Sequence, residues 1–198
     1  MGNYGNNAFY SDSENKKLGF KNIGKNAKIS KYARFYDIEK ISIGNHVRID
    51  DFCILSGNIT IGSYVHIGAY SVLYGKYGIF MQDFSGISSR VSIFSVSDDY
   101  SGEALTGPCV PDEYRKVEHG YVKLNKHSLV GTGSVLLPNT TLQEGSTVGS
   151  MSLVKGNIPE WAIYAGIPAK YIKIREKTEI LRFEKLLLKE IYGDETIS

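Results

Sequence analysis

Apolar side chains recur every six residues along most of this chain, a period that fits neither the 3.6 residues of an α-helical turn nor the 2 of a flat strand. Across residues 124–155, LNKHSLVGTGSVLLPNTTLQEGSTVGSMSLVK, the aliphatics Leu124, Val130, Leu136, Leu142, Val148 and Val154 stand six apart. A small residue follows four places after each of the first five: Ser128, Ser134, Thr140, Ser146 and Ser152. Such a period needs a chain that turns a corner every six residues, with the aliphatic side chain inward and the small one at the bend. Three such sides close one turn of a triangular solenoid, a parallel β-helix of hexapeptide repeats. Upstream the same grid runs through Ile23, Ile29 and Phe35. A step of eight to Ile43 then predicts a two-residue insertion around 37–40. From there the grid reads Ile43, Ile49, Leu55, Ile61, Ile67, Leu73 and Ile79, and continues through Ser85 and Val91. Glycine follows the inward aliphatic at Gly24, Gly44, Gly62, Gly68, Gly131 and Gly149, which reads as a corner calling for unusual backbone angles.

The pattern breaks over residues 97–120. Counting on in sixes from Val91 misses Leu124, so a loop is thrown out from a solenoid that then resumes. Long irregular loops in compact folds tend to carry function, and this one is rich in Tyr, Asp and Pro. After Val154 the segment AGIPAKYIKIR reads as extended. Residues 176–192 read as a helix with the stripe Ile180, Phe183, Leu187 and Ile191, and with Gly193 as its stop. A short helical turn is possible over 11–18. The expected organisation is a polar N-terminal segment, 1–22; a solenoid, 23–157, of about 18 hexads or six triangular coils with the excursion 97–120; and a C-terminal extended segment and helix, 158–198.

Composition narrows the class. A chain of 198 residues with 42% apolar and 22% charged residues is an ordinary soluble domain, and a net charge of +2 predicts no strong attraction to nucleic acid or membrane. No apolar run approaches the roughly 18 residues of a membrane span, and the N-terminus reads as neither a secretion signal nor a myristoylation motif. The expectation is a cytoplasmic protein. Cys53 and Cys109 make no disulfide framework. Cys53 lies on the grid, as a buried apolar thiol, and neither cysteine has a nucleophile's setting.

The hexads, the excursion after a mid-chain hexad and the closing AGIPAK segment together resemble the hexapeptide-repeat acyltransferases over about residues 20–175, within them the galactoside, maltose and surface-polysaccharide O-acetyltransferases. The resemblance implies an all-β, left-handed parallel β-helix; the hand comes from the family, since period six alone does not set it. It implies a homotrimer with active sites between neighbouring prisms, and acetyl-CoA as co-substrate with no metal. Carried onto this chain, Gly131 and Thr132 line the thioester end, and Ser150, Met151 and Lys155 flank the pantetheine arm. Lys170 and Lys173 lie near the CoA phosphates, where a point cation is wanted. Trp161 shields the arm or packs at the solenoid exit.

One departure matters. The related O-acetyltransferases carry a histidine in the loop as general base, and here Asp98 takes that slot. Aspartate has a reference pKa of about 3.9 against about 6.5 for histidine, so it is the weaker base unless burial or a like charge raises it. Asp99 beside it is a possible partner of that kind. His119, where the excursion ends, is the other candidate base, alone or with Glu118. Asp99, Tyr100, Glu103, Tyr114 and Arg115 are candidate substrate contacts. His46, His66 and His127 read as outward surface residues. They do not form the three-histidine zinc site that the carbonic anhydrases of this fold use. The leading expectation is acetyl transfer to a hydroxyl of a sugar or surface-polysaccharide precursor, helped by a backbone N–H near Gly131. The alternatives are N-acetylation of a nucleotide-linked amino sugar, where an amine needs less help from a base, and a non-catalytic β-helix scaffold.

Overall fold

The structure, a computed structural model, describes residues 8–192. Three parallel ladders run along a triangular prism. One joins Ile23, Ile43, Ile61, Met81, Leu124, Leu142 and Ile158. The second joins Ile29, Ile49, Ile67, Ile87, Val130, Val148 and Tyr164. The third joins Phe35, Leu55, Leu73, Ile93, Leu136 and Val154. The fold is a left-handed β-helix of about seven turns, one more than the hexad count suggested, followed by one C-terminal helix. The ladder aliphatics fill one continuous core from Ile29 to Ile158. The small residues Ser128, Ser134, Thr140, Ser146 and Ser152 are buried at the bends, as their spacing required.

The offset from each rung to the next is the same in all three ladders, coil by coil. From the first ladder to the second, and from the second to the third, every side keeps the six-residue spacing. All of the irregularity falls on the side that returns from the third ladder to the first. The sides from Phe35 to Ile43 and from Leu73 to Met81 each exceed the regular spacing by two, and the side from Ile93 to Leu124 carries the whole excursion. This corrects the grid over 79–91. A second insertion at 75–78 slips the register by two, so the ladder residues are Met81, Ile87 and Ile93. Ile79, Ser85 and Val91 occupy the bend column instead. Ile79 stays apolar there because it pairs with Ile59 and Val122, which hides the slip.

The glycines after the ladder residues have a different cause from the one expected. Gly24, Gly44, Gly62, Gly68, Gly131 and Gly149 keep ordinary negative φ. A Cβ on Gly44 would lie 2.5 Å from the Gly62 carbonyl carbon, and one on Gly131 would lie 2.5 Å from the Ser150 nitrogen. They are glycines because successive coils touch there. At the corner after the first ladder the left-handed backbone falls three residues past the ladder residue, on Asn26, His46, Tyr64, Phe84, His127 and Trp161, with φ of 51–59°. Each such non-glycine residue costs roughly 1–2 kcal/mol. What offsets it is a column of rings: His46 on Tyr64 at 4.8 Å, Tyr64 on Phe84 at 4.8 Å, and Phe84 on His127 at 5.3 Å. Strand spacing is itself about 4.8 Å, so a ring on each coil stacks without adjustment, at roughly 0.5–1.5 kcal/mol per pair. His127 is thus not a surface residue: it is 6% exposed.

The ends are closed by short appendages. Helix α1 (Asp12–Asn15) is opened by a Ser11/Glu14 capping box, and its buried Asn15 donates to the Ala27 carbonyl at 2.8 Å. Beyond the last coil, Ala162–Ala165 pairs antiparallel with Lys170–Ile174. Helix α2 (Thr178–Tyr192) then docks through Glu184, which binds Lys126 and accepts from His127 Nε2 at 2.8 Å. Arg175 Nη1 donates to the carbonyls of His127 and Gly145 at 2.7 and 2.9 Å. This polar contact sets the roll of the helix: Ile180, Leu187 and Leu188 face inward, while Phe183 and Ile191 of the expected stripe are exposed. Gly193 lies outside the described residues. Among those described, no helix is long and apolar enough to cross a membrane.

Candidate active site

The irregular corner of the prism holds a cleft of about 810 Å³. Each insertion supplies part of its wall. Asp37 and Lys40 come from the first, Gly75 and Lys76 from the second, and Asp98, Pro108 and Arg115 from the excursion. Tyr74 and Phe94, stacked at 5.7 Å on adjacent coils, line it as well. The excursion is more ordered than its sequence suggested. Val96–Asp98 and Val117–His119 form an antiparallel ribbon with Asp98 opposite Val117 and Val96 opposite His119.

Asp98 is half-buried in the cleft wall. Its Oδ1 accepts from Arg115 Nη2 at 3.2 Å and its Oδ2 accepts from the Gly107 N–H at 3.3 Å. Asp99 does not share that cleft. Its carboxylate caps the following turn, accepting from the Ser101 hydroxyl at 2.7 Å, the Ser101 N–H at 3.0 Å and the Glu103 N–H at 2.8 Å. These bonds, led by the Ser101 hydroxyl, pull its pKa down to about 2. The expected pairing of two carboxylates, which would have raised one of them, is therefore corrected: adjacent residues of an extended ribbon point opposite ways. His119 also lies outside the cleft lining, with its exposed ring stacked on Tyr77 at 4.2 Å. Glu118 binds Lys155 at 2.8 Å. Tyr100, 93% exposed, and Tyr114, 60% exposed, stand on the outer part of the loop, where Glu103 is bound to Lys116.

The residues assigned to the coenzyme arm gather elsewhere. Gly131 abuts Ser150 on the next coil, the Met151 N–H donates to the Thr132 carbonyl at 2.8 Å, and Gly149 abuts Ala165, which pairs with Lys170. Lys173 pairs with Ile163 on the same two strands. Gly131, Thr132, Ser150, Met151 and Lys170 therefore form one strip along the corner between the second and third ladders. Thr132, Ser150, Met151, Lys170 and Lys173 are exposed. Lys155 is not in the strip; it sits on the irregular corner, paired with Glu118. Within the strip the Gly131 N–H is committed to the Val148 carbonyl at 2.8 Å, so it is not free to stabilise an oxyanion. The N–H groups of Thr132 and Ser150 have no partner among the described residues. Trp161 packs at the solenoid exit, over Gly145 and 6.2 Å from His127.

Neither cysteine enters either feature. Cys53 Sγ donates to the Gly68 carbonyl at 3.2 Å, and burial pushes its thiol up to about 11, while Cys109 is exposed. Among the described residues no group of three or more His, Cys, Asp or Glu side chains is arranged to hold a metal ion. The sequence reading missed Lys40, Lys76, Tyr74 and Phe94. The insertion around 37–40 was the signal for Lys40; Lys76, Tyr74 and Phe94 had none, because Ile79 continues the six-count over the insertion at 75–78.

Comparison with known proteins places this arrangement. The family model for bacterial transferase hexapeptide (six repeats) matches residues 40–75. A dTDP-4-amino-4,6-dideoxy-D-glucose acyltransferase of Escherichia coli is 43% identical over 190 residues, 94% of this chain and 98% of the relative. AntD, an N-acyltransferase from Bacillus cereus, superposes with a TM-score of 0.91 at 50% identity. The match covers 93% of this chain and 98% of AntD in its complex with dTDP and 3-hydroxybutyryl-CoA. AntD has also been crystallised with an aspartate replaced, in complex with dTDP and coenzyme A. The acetyltransferase domain of PglB from Neisseria gonorrhoeae, at 17% identity and a TM-score of 0.57, shares the fold; the match covers 74% of this chain and 57% of that one. With ladders, excursion and relatives in agreement, the chain belongs to the hexapeptide-repeat transferase family and is an acyltransferase.

Proposed function

We propose that this protein transfers an acyl group from an acyl-coenzyme A to the amino group of a dTDP-linked 4-amino-4,6-dideoxy sugar. This replaces the hydroxyl acceptor expected first from sequence with the amine acceptor weighed beside it. The observation that carries it is the pair of near full-length relatives, one named for that sugar nucleotide and one an N-acyltransferase bound to dTDP. The site chemistry supports the same choice. A hydroxyl must lose its proton as it attacks, which suits a histidine. An amine attacks with its lone pair and sheds a proton from the ammonium formed afterwards, which a carboxylate such as Asp98 can accept. Lys76 on the cleft wall, with Lys40 held against Asp37 beside it, offers cations of the kind a diphosphate requires. We assign Asp98 as the base, and the Thr132 or Ser150 N–H as the donor to the oxyanion of the tetrahedral intermediate. The amine attacks the thioester carbonyl, the C–S bond breaks, and the proton held by Asp98 leaves with the CoA thiolate.

Asp98 and the Gly131–Lys170 strip stand on different corners of one prism. An acceptor at Asp98 therefore meets an arm laid along the strip of a neighbouring copy, which supports a homotrimer with sites between subunits. Both substrates are cytoplasmic metabolites, and we place the enzyme in the cytoplasm. The test is acyl transfer from acetyl-CoA and 3-hydroxybutyryl-CoA to dTDP-4-amino-4,6-dideoxyglucose, followed by thiol release, with the corresponding 4-hydroxy sugar as comparison. Turnover of the hydroxy sugar and not of the amine would reject the proposal.

A further inference from the structure

We infer that Arg115 is a positioning residue for the transfer, acting through Asp98 and not on the substrate. The inference rests on the assignment of Asp98 as the base. In the antiparallel ribbon Asp98 faces Val117, so Arg115 is its diagonal neighbour two residues along the opposite strand. Side chains two apart on a strand share a face, and a diagonal pair is within reach of a long side chain. Arg115 uses that reach: Nη2 lies 3.2 Å from Asp98 Oδ1, and Nη1 lies 3.3 Å from Asp112 Oδ1. Its Nε is buried without a partner. Both side chains line the cleft, but Arg115 is 14% exposed against 35% for Asp98, so the guanidinium is the more enclosed of the two.

An aspartate at the end of a two-stranded ribbon is free to change rotamer. Arg115 from one side and the Gly107 N–H from the other fix both of its oxygens in one plane. Asp112 in turn holds the guanidinium from the loop beyond, so the excursion is tied to the carboxylate. A planar fork suits this better than the single point charge of a lysine. The cost of losing it falls on the orientation of the base, hence on kcat, and not on the affinity for the nucleotide sugar.

Steady-state kinetics on four variants tests this: Asp98→Asn, Arg115→Gln, Arg115→Lys and the double Asp98→Asn/Arg115→Gln, with the amino sugar nucleotide and acetyl-CoA. Asp98→Asn is expected to lower kcat by roughly 100-fold or more. Arg115→Gln is expected to lower kcat about 10-fold with the sugar KM changed by less than about 2-fold, and Arg115→Lys to recover part of that loss. If Arg115 works through Asp98, the double variant is no slower than Asp98→Asn alone. Losses that multiply in the double variant would overturn the inference. So would a KM raised about 10-fold with kcat held, the sign of an arginine that binds the diphosphate directly. Full activity of Asp98→Asn would instead remove the base assignment, and this inference with it. Because that result appears in the single Asp98 variant, the two failures are distinguishable.

Discussion

Replacing Gly44 by alanine separates the two explanations of the corner glycines. Gly44 has ordinary φ, so alanine incurs no backbone strain there. Its Cβ, however, would meet the Gly62 carbonyl carbon at 2.5 Å, the Gly62 oxygen at 2.6 Å and the Ser63 nitrogen at 2.8 Å. All three belong to the backbone of the next coil, so no side chain can swing away. Restoring an ordinary contact of 3.4 Å needs the coils to part by about 0.9 Å. The adjacent bond from Gly44 N–H to the Ile61 carbonyl, now 2.8 Å, would stretch to about 3.7 Å and be lost. Overpacking of this sort costs roughly 1–3 kcal/mol and the bond about 1 more. The expected destabilisation is about 2–4 kcal/mol, or a fall in Tm of roughly 5–15 °C for a chain of this size. Gly86 is the control: it too has ordinary φ, but its Cβ would meet only the His66 carbonyl oxygen at 3.6 Å and Leu129 Cδ1 at 3.8 Å. Gly86→Ala is expected to be neutral or stabilising by about 0.5 kcal/mol, because alanine narrows the unfolded ensemble. Far-UV circular dichroism during heating, at one protein concentration, reads both. Equal Tm values for the two variants would refute the stacking account.

Three further outcomes are expected. A thiol-disulfide reagent at pH 8 should titrate one thiol per native chain, Cys109, and two in denaturant, since Cys53 is buried with its thiol pushed up to about 11. Burial raises the Glu184 carboxyl, but hydrogen bonds from Lys126 and His127 outweigh that and hold it below its ordinary value. Its contribution to docking α2 is therefore present above the unfolded pKa of about 4.3 and is lost as pH falls through the lower folded value. Fluorescence of Trp161, the single tryptophan, should report that acid transition in the native protein and lose it in Glu184→Gln. His119→Ala should keep kcat within about 3-fold, since the ring packs on Tyr77 outside the cleft; a loss comparable to that of Asp98→Asn would exchange their roles.

The fold is legible because a solenoid writes its geometry as a period, and the run from Leu124 to Val154 has no slip. Legibility fails where an insertion preserves apolar character. Ile79 continues the six-count by chance of chemistry, so the insertion at 75–78 leaves no mark in the pattern. His127 reads as outward because period six fixes only which residues point into the prism. It says nothing of the ring column or of a helix 57 residues later that places Glu184 2.8 Å away. Asp98 can be singled out because, by the family resemblance, it stands in the slot of the loop histidine. Its bond to Arg115 cannot, because that depends on the ribbon register between Asp98 and Val117. The cleft and the Gly131–Lys170 strip are each reached from the sequence only through the family resemblance. Their separation onto different corners appears only once the ladders are drawn.

Confining every change of length to one corner has a consequence for how such a chain can be altered. Two of the three sides are held at the regular spacing by shared hydrogen bonds with the coils above and below, so lengthening either would break the ladders throughout. The third side is already overlong at Phe35–Ile43 and Leu73–Met81 and opens into the full excursion between Ile93 and Leu124, with the rungs on both flanks still paired. Residues added or removed there leave the prism untouched and reshape only the cleft. The scaffold thus separates durability from the shape of the cleft, which can be remodelled by redrawing one edge.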